Sequence, residues 1–267
     1  MTTPAQAAAE MIKSANRFGG AETAVILGRN FYSVADILED AVSIPYAQLP
    51  GFPQAPGVED GELLIGLVES MPAIILKGRT NFYETGDPSL MAGPIEALAL
   101  CGVRGILCPA LVTSSRADFV PSTVVAVTDH INFNGFNPLV GQPVDKTFVN
   151  LNEAYDKRLL RRLKAAAAAG GVTVHEGVYM WFSGPSYETP AEVKLARLFG
   201  ADLMGWSIAP EAILARRYGL PFCGVGVVTD FGAGFSGGAP SGDMTRGPAV
   251  AGAVAIKRLS KAFIRAR

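Results

Sequence analysis

Short apolar runs bounded by turn residues alternate with helical stretches along the whole chain. Residues 24–27 (Ala-Val-Ile-Leu) carry a buried-strand pattern that runs into Gly28. Residues 63–68 and 73–76 form two further strands, and Glu69-Ser70-Met71-Pro72 between them marks a hairpin. Residues 94–100 read as helix, followed by strands at 103–107 and 123–127. A long helix is predicted over 152–169, alanine-rich in its second half and closed by Gly170-Gly171. Strand follows at 172–182, helix at 190–198, a short strand at 202–204 and helix at 210–218. A buried strand at 222–229 and a helix at 248–265 complete the chain. No low-complexity linker or internal repeat interrupts this alternation. It predicts an α/β fold spanning residues 1–267 as a single domain, with a mixed or mostly parallel central sheet flanked by helices on both faces.

Composition narrows the function classes. At 267 residues the chain has length for one large α/β domain or two small ones, with a substantial core. Apolar residues make up 49% against 18% charged, and the mean hydropathy is +0.27. The formal net charge of -1 offers no general attraction to nucleic acid or to an acidic membrane. No apolar run reaches the roughly 20 residues of a membrane helix, and the N-terminal stretch, with Glu10, Lys13 and Arg17, does not read as a signal peptide. Cys101, Cys108 and Cys223 fit neither a disulfide framework nor a zinc site, which suits a reducing, cytoplasmic setting. Only His130 and His175 are available as histidine bases.

Candidate chemistry collects at the ends of the predicted strands. Gly184-Pro185-Ser186-Tyr187-Glu188-Thr189 joins a strand to a helix whose start, Thr189-Pro190-Ala191-Glu192, is a capping box with proline at the first helical position. Tyr187 and Glu188 thus sit on a loop at a strand end, where α/β proteins bind ligands. An aromatic ring beside a carboxylate suits a flat heterocycle with ring N–H groups. A Gly-Pro turn followed by an exposed tyrosine and a first-turn glutamate is an equally available reading. Further polar strand ends are Gly28-Arg29-Asn30, the run from Gly78 to Glu84, Asp129-His130-Ile131-Asn132, Trp206-Ser207 and Thr229-Asp230. Their number favours a pocket. Gly28-Arg29-Asn30 has neither the dinucleotide fingerprint nor a P-loop. The glycine-rich stretch 232–242 reads as a mobile active-site loop.

Taken in order, several segments resemble the trimeric purine nucleoside phosphorylases, a family that includes the methylthioadenosine phosphorylases. They are Asp129-His130-Ile131-Asn132, Glu153-Ala154-Tyr155-Asp156, Gly184-Pro185-Ser186-Tyr187-Glu188-Thr189, Gly200-Ala201-Asp202 with Ser207 and Pro210-Glu211, and Val228-Thr229-Asp230. The resemblance implies an α/β sandwich around a mixed sheet and a homotrimer. It also implies phosphate-dependent cleavage of a purine N-glycosidic bond, with phosphate as co-substrate and no cofactor or metal. Residue by residue, Glu188 matches the carboxylate on the purine N1 edge and Tyr187 the aromatic that packs on the base. Asp230 stands where many members have an asparagine facing N7 and the 6-substituent. Tyr83 and Trp206 fall on sugar-contacting positions, the family usually having methionine at the latter. Phe148 matches an aromatic contributed by a neighbouring subunit. Arg79 and Ser207 match phosphate ligands.

Departures from the family pattern concentrate on the phosphate side. Its glycine-serine-glycine turn is here Gly28-Arg29-Asn30, which makes Arg29 a candidate replacement ligand. Val58 and Asn81 stand near expected histidines, and Ala110-Leu111-Val112-Thr113 replaces an asparagine-alanine-alanine-glycine turn. Gly242 falls where a histidine would meet the sugar 5′-hydroxyl, which leaves room for a 5′-deoxy or 5′-alkylthio nucleoside. Asp230 suits a 6-aminopurine and Glu188 a 6-oxopurine, so sequence leaves the base open. A non-catalytic purine- or nucleoside-binding paralogue is the alternative reading. A calcium-dependent nucleoside hydrolase is disfavoured because its aspartate cluster is missing.

Overall fold

The computed structural model describes residues 2–54, 60–141, 148–235 and 247–266. Nine strands form one mixed sheet in the order β2-β3-β4-β1-β5-β8-β7-β6-β9. The strands are β1 (Thr23–Leu27), β2 (Glu39–Pro45), β3 (Glu62–Val68), β4 (Met71–Lys77), β5 (Gly105–Ser114), β6 (Val124–Asn132), β7 (Val174–Trp181), β8 (Leu203–Gly205) and β9 (Phe222–Phe231). β4, β1 and β5 run parallel, and β2-β3-β4 is an antiparallel meander at one edge. β9 pairs with both β6 and β5, so β5, β8, β7, β6 and β9 close into a ring. Half of the sheet therefore curls into a small barrel.

Period-two alternation on buried strands sends successive side chains to opposite faces. On β1, Ala24 and Ile26 face a core shared with α1 (Pro4–Ala15), α3 (Ala92–Leu100) and α6 (Ala209–Arg217). Val25 and Leu27 face a second core formed with α4 (Lys157–Gly170) and α7 (Gly247–Arg265). A smaller cluster packs α5 (Pro190–Leu198) on Met180 and Met204. Helices on both faces of a mixed sheet match the expected fold class. Among the described residues no helix is long and apolar enough to cross a membrane.

Several elements depart from expectation. α1 was not predicted, although Thr3 and Gln6 form a capping box around Pro4. Its buried face is mostly alanine (Ala5, Ala8 and Ala9, with Ile12), which gives little hydrophobic contrast for sequence to detect. The edge strand β2 is largely exposed and begins with Glu39 and Asp40, a usual protection for a sheet edge. α4 starts at Lys157 rather than at 152, because the Asp156 side chain accepts from the Leu159 N–H at 2.8 Å and caps the helix there. β5 was expected to stop at Leu107, yet it continues through Pro109 to Ser114. The Ile106 N–H donates toward β9, to Pro221 O. By alternation, position 109 turns toward the side that β1 has already left, where a missing N–H breaks no ladder bond. Ala110 to Thr113 is consequently strand, not turn.

Candidate active site

A cleft of about 210 Å³ opens at one end of the sheet. The strand ends of β1, β4, β5, β8 and β9 line it, together with the loop that follows β7. Sequence order in the sheet distributes its charges. Arg29 follows β1 and Arg79 follows the adjacent β4, while Glu188 and Asp230 arrive from the barrel side, with β5 between the two sets. Tyr187, Tyr83, Trp206 and Ser207 also line this cleft. Phe148 does not: it is 89% exposed on the surface of the chain.

Arg79 is the buried cation of the site, 8% exposed. Its Nη1 donates to Pro109 O at 3.0 Å and to the Cys108 thiol at 3.4 Å. Its Nε lies 3.8 Å from Glu211 Oε1, beyond hydrogen-bond range but well placed for charge pairing. Gly28 makes room for the guanidinium, since a Cβ there would lie 3.0 Å from Nη2. Burial pushes the Cys108 thiol up to about 12, so it stays protonated beside the arginine. Burial also raises the Glu211 carboxyl, while Arg79 opposes that rise.

Ser207 sits on a strained turn. The next residue, Ile208, has φ 69° and ψ -54°, and the Ala209 N–H donates back to Ser207 O at 2.8 Å. This is a γ-turn of the rare positive-φ kind, which costs on the order of 1–3 kcal/mol for a branched residue. Gly224 on β9 accommodates it, because a Cβ there would meet Ile208 Cγ2 at 2.9 Å. The turn delivers Ser207 to the cleft immediately before the N-terminus of α6.

Glu188 is 4% exposed, and its Oε1 accepts from Trp206 Nε1–H at 3.1 Å. Burial raises its pKa above the ordinary carboxylate range, partly offset by hydrogen bonding. The Thr113 hydroxyl faces it yet makes no hydrogen bond of good geometry with the described residues. The ring of Tyr187 lies 4.9 Å from that of Trp206, and Tyr83 meets the same indole edge-on at 5.6 Å. Asp230 owes its placement to a β-bulge. Val112 pairs with Val228 but Thr113 pairs with Asp230, so Thr229 is the extra residue that turns the strand end into the cleft.

Neither histidine lines the cleft. His130, on β6, packs edge-on against Tyr155, and burial lowers its pKa. His175, on β7, packs beside Phe119. Asn81 caps the short helix α2 (Phe82–Thr85) through Glu84, and both border the cleft. Thr113, noted in sequence only as part of the segment Ala110-Leu111-Val112-Thr113, and Met204, noted only as the end of a short strand, also border it. The unexpected length of β5 is the signal that would have found Thr113. Glu211 was noted only as part of a segment, because its pairing with Arg79 bridges distant positions. The residues Val58 and Gly242, and most of the glycine-rich loop, lie outside the described residues.

Comparison with known proteins gives the family and the fold. Residues 22–265 match the family model of the phosphorylase superfamily. The chain is 35% identical over 216 residues to purine nucleoside phosphorylase 1 of Geobacillus stearothermophilus, covering 79% of this chain and 78% of that protein. It is 37% identical over 219 residues to the purine nucleoside phosphorylase of Mycobacterium leprae, covering 81% and 78% respectively. The structure superposes on a Schistosoma purine nucleoside phosphorylase in complex with hypoxanthine with a TM-score of 0.89 and 27% identity, over 99% of this chain and 98% of that one.

Proposed function

The chain belongs to the phosphorylase superfamily, and we propose that it is a purine nucleoside phosphorylase, a pentosyltransferase that moves the sugar of a purine nucleoside onto phosphate. The observation that carries this reading is the convergence, in one cleft, of the carboxylates of Glu188 and Asp230 from the barrel side with the guanidinium groups of Arg29 and Arg79 from the β1 and β4 side. Residues 1–267 act in this reading as one nucleoside phosphorylase-like domain.

The reaction breaks the bond between the sugar C1′ and the base nitrogen, and a phosphate oxygen bonds to C1′. Positive charge develops on the sugar and negative charge on the departing purine. Fixed charges and hydrogen bonds placed where that charge appears lower the barrier. Glu188 accepts from the base N–H edge, Tyr187 packs on its face, and Asp230 holds the side carrying N7 and the 6-substituent. Tyr83 and Trp206 line the sugar. Arg79, Arg29 and Ser207 hold phosphate. The position of Ser207 at the start of α6 supports that role, because the positive end of a helix dipole favours an anion there.

Phosphate is the co-substrate, and the residues assigned here require no cofactor. Among the described residues no group of three or more histidine, cysteine, aspartate or glutamate side chains is arranged to hold a metal. We place Phe148 at a subunit contact of a homotrimer, where it would cover a neighbour's sugar site. Its exposure, shared with Phe133, Phe136 and Val140, supports this. The free cysteines, two of them buried, support a cytoplasmic setting.

A nucleoside panel that includes inosine, adenosine and 5′-methylthioadenosine, assayed with and without phosphate, tests the reaction. Base release that depends on phosphate is expected. Equal release without phosphate would overturn the reading, and binding without release would make the protein a non-catalytic purine binder.

A further inference from the structure

A carboxylate that accepts from a bound base must remain ionised while the base displaces the water around it. Desolvation opposes that state unless the oxygen not used by the ligand finds a donor. Glu188 is in this position, buried at the end of the loop after β7. Its one side-chain donor of good geometry among the described residues is the indole N–H of Trp206, at 3.1 Å to Oε1.

The indole is itself held on several sides. Gly184 lies against its face, so closely that a Cβ there would come within 3.0 Å of the ring. Gly184 also has a φ of +63°, a conformation that glycine adopts at little cost. Tyr187 is tilted at 54° against the same ring and Tyr83 meets it at 77°. Trp206 follows β8 directly, so its backbone is anchored by the sheet. A donor with so little freedom sets the plane of the carboxylate as well as its charge.

We propose that Trp206 is a positioning residue for base recognition. Its N–H occupies Glu188 Oε1 and turns Oε2 toward the base, in addition to any contact its ring makes with the sugar. This rests on the reading of Glu188 as the base-binding carboxylate. Methionine, which the family the sequence resembles usually has here, has no N–H to give.

The test is a double-mutant cycle of wild type, Trp206→Phe, Glu188→Ala and the double variant. The readouts are the Kd for hypoxanthine by equilibrium dialysis and the KM values for inosine and phosphate. Phenylalanine keeps an aromatic face against Gly184 while removing the donor and part of the ring, and the Glu188→Ala background separates the two losses. Loss of one hydrogen bond to a charged group predicts a Kd about tenfold weaker in the Trp206→Phe variant. The KM for phosphate should stay within about twofold, and the double variant should bind no worse than Glu188→Ala, since Trp206 acts through Glu188. Trp206→Met, which also lacks the donor, should show the same loss.

An unchanged Kd in Trp206→Phe would overturn the inference. So would an equal loss in both Glu188 backgrounds, which would mean that the ring acts by contact alone. A parallel rise in both KM values would overturn it too, because it would indicate general disturbance of the cleft. The phosphorylase reading fails separately. A wild-type protein that binds hypoxanthine but releases no base with phosphate removes that reading and leaves the binding cycle valid. A wild type that binds neither hypoxanthine nor adenine overturns both.

Discussion

Glu188 carries two opposed demands in one side chain. Burial raises its pKa, hydrogen bonding, including that from Trp206, opposes the rise, and Glu192 adds to it. Between the ordinary carboxylate value and this raised one, the folded chain holds a proton that the unfolded chain has released. The contribution of Glu188 to stability therefore falls as pH rises through that window and is constant above it. In the proposed base-binding role the sign is opposite, because the ionised form is the stronger acceptor for a base N–H. The acid limb of kcat/KM for inosine should accordingly lie above the ordinary carboxylate range. In Glu188→Gln the residual activity should lose that limb, and a limb that persists unshifted would assign it to another group. Tyr187 and Glu188 were legible in sequence because strand, loop and capping box adjoin. The Trp206 donor was not, since it is brought in from 18 positions away.

At the level of elements, the site depends on irregularities that position side chains. The bulge at Thr229 directs Asp230 into the cleft, and the γ-turn at Ile208 presents Ser207. Both irregularities involve β9, which contributes the bulge and, at Gly224, the space that the turn requires. Helix α7 backs the same strand through Gly252, where an added methyl would overlap Val227. Gly252→Ala should destabilise the protein by about 1–3 kcal/mol, the usual cost of overpacking, read as a lower urea midpoint with unchanged slope. A midpoint equal to wild type would show that α7 shifts freely on β9. Strand β9 was foreseen from its apolar run, but neither irregularity was. Hydrophobic period reports which face is buried and says nothing of a single residue added to a ladder.

For the molecule as a whole, the paired strands of the meander and the closed barrel meet at β1 and β5. The cleft forms there because β1 stops at Leu27 while β5 continues to Ser114. Exposed Phe148 lies outside this cleft, which suits the proposed contact with another copy. Wild type is expected to sediment as a trimer. Phe148→Ser should leave the fold of each subunit intact while raising the KM for nucleoside several-fold. A fully active monomeric wild type, or a Phe148→Ser variant with unchanged KM, would show that the site is complete within one chain.

Sequence alone determined the alternation of strands and helices, the capped loop with Tyr187 and Glu188, and the set of polar strand ends. These rest on local period and turn chemistry, which neighbouring residues encode. Tertiary structure decided how those ends combine. The parallel pairing of β1 with β4 and β5 brings Arg29 and Arg79 together, and the closure of β9 onto β5 and β6 sets Asp230 opposite Thr113. The Trp206 clamp on Glu188 and the partners of Arg79 also belong to the fold alone. Their donors and acceptors are distant in the chain, and no local pattern records which residues burial will bring within hydrogen-bonding distance.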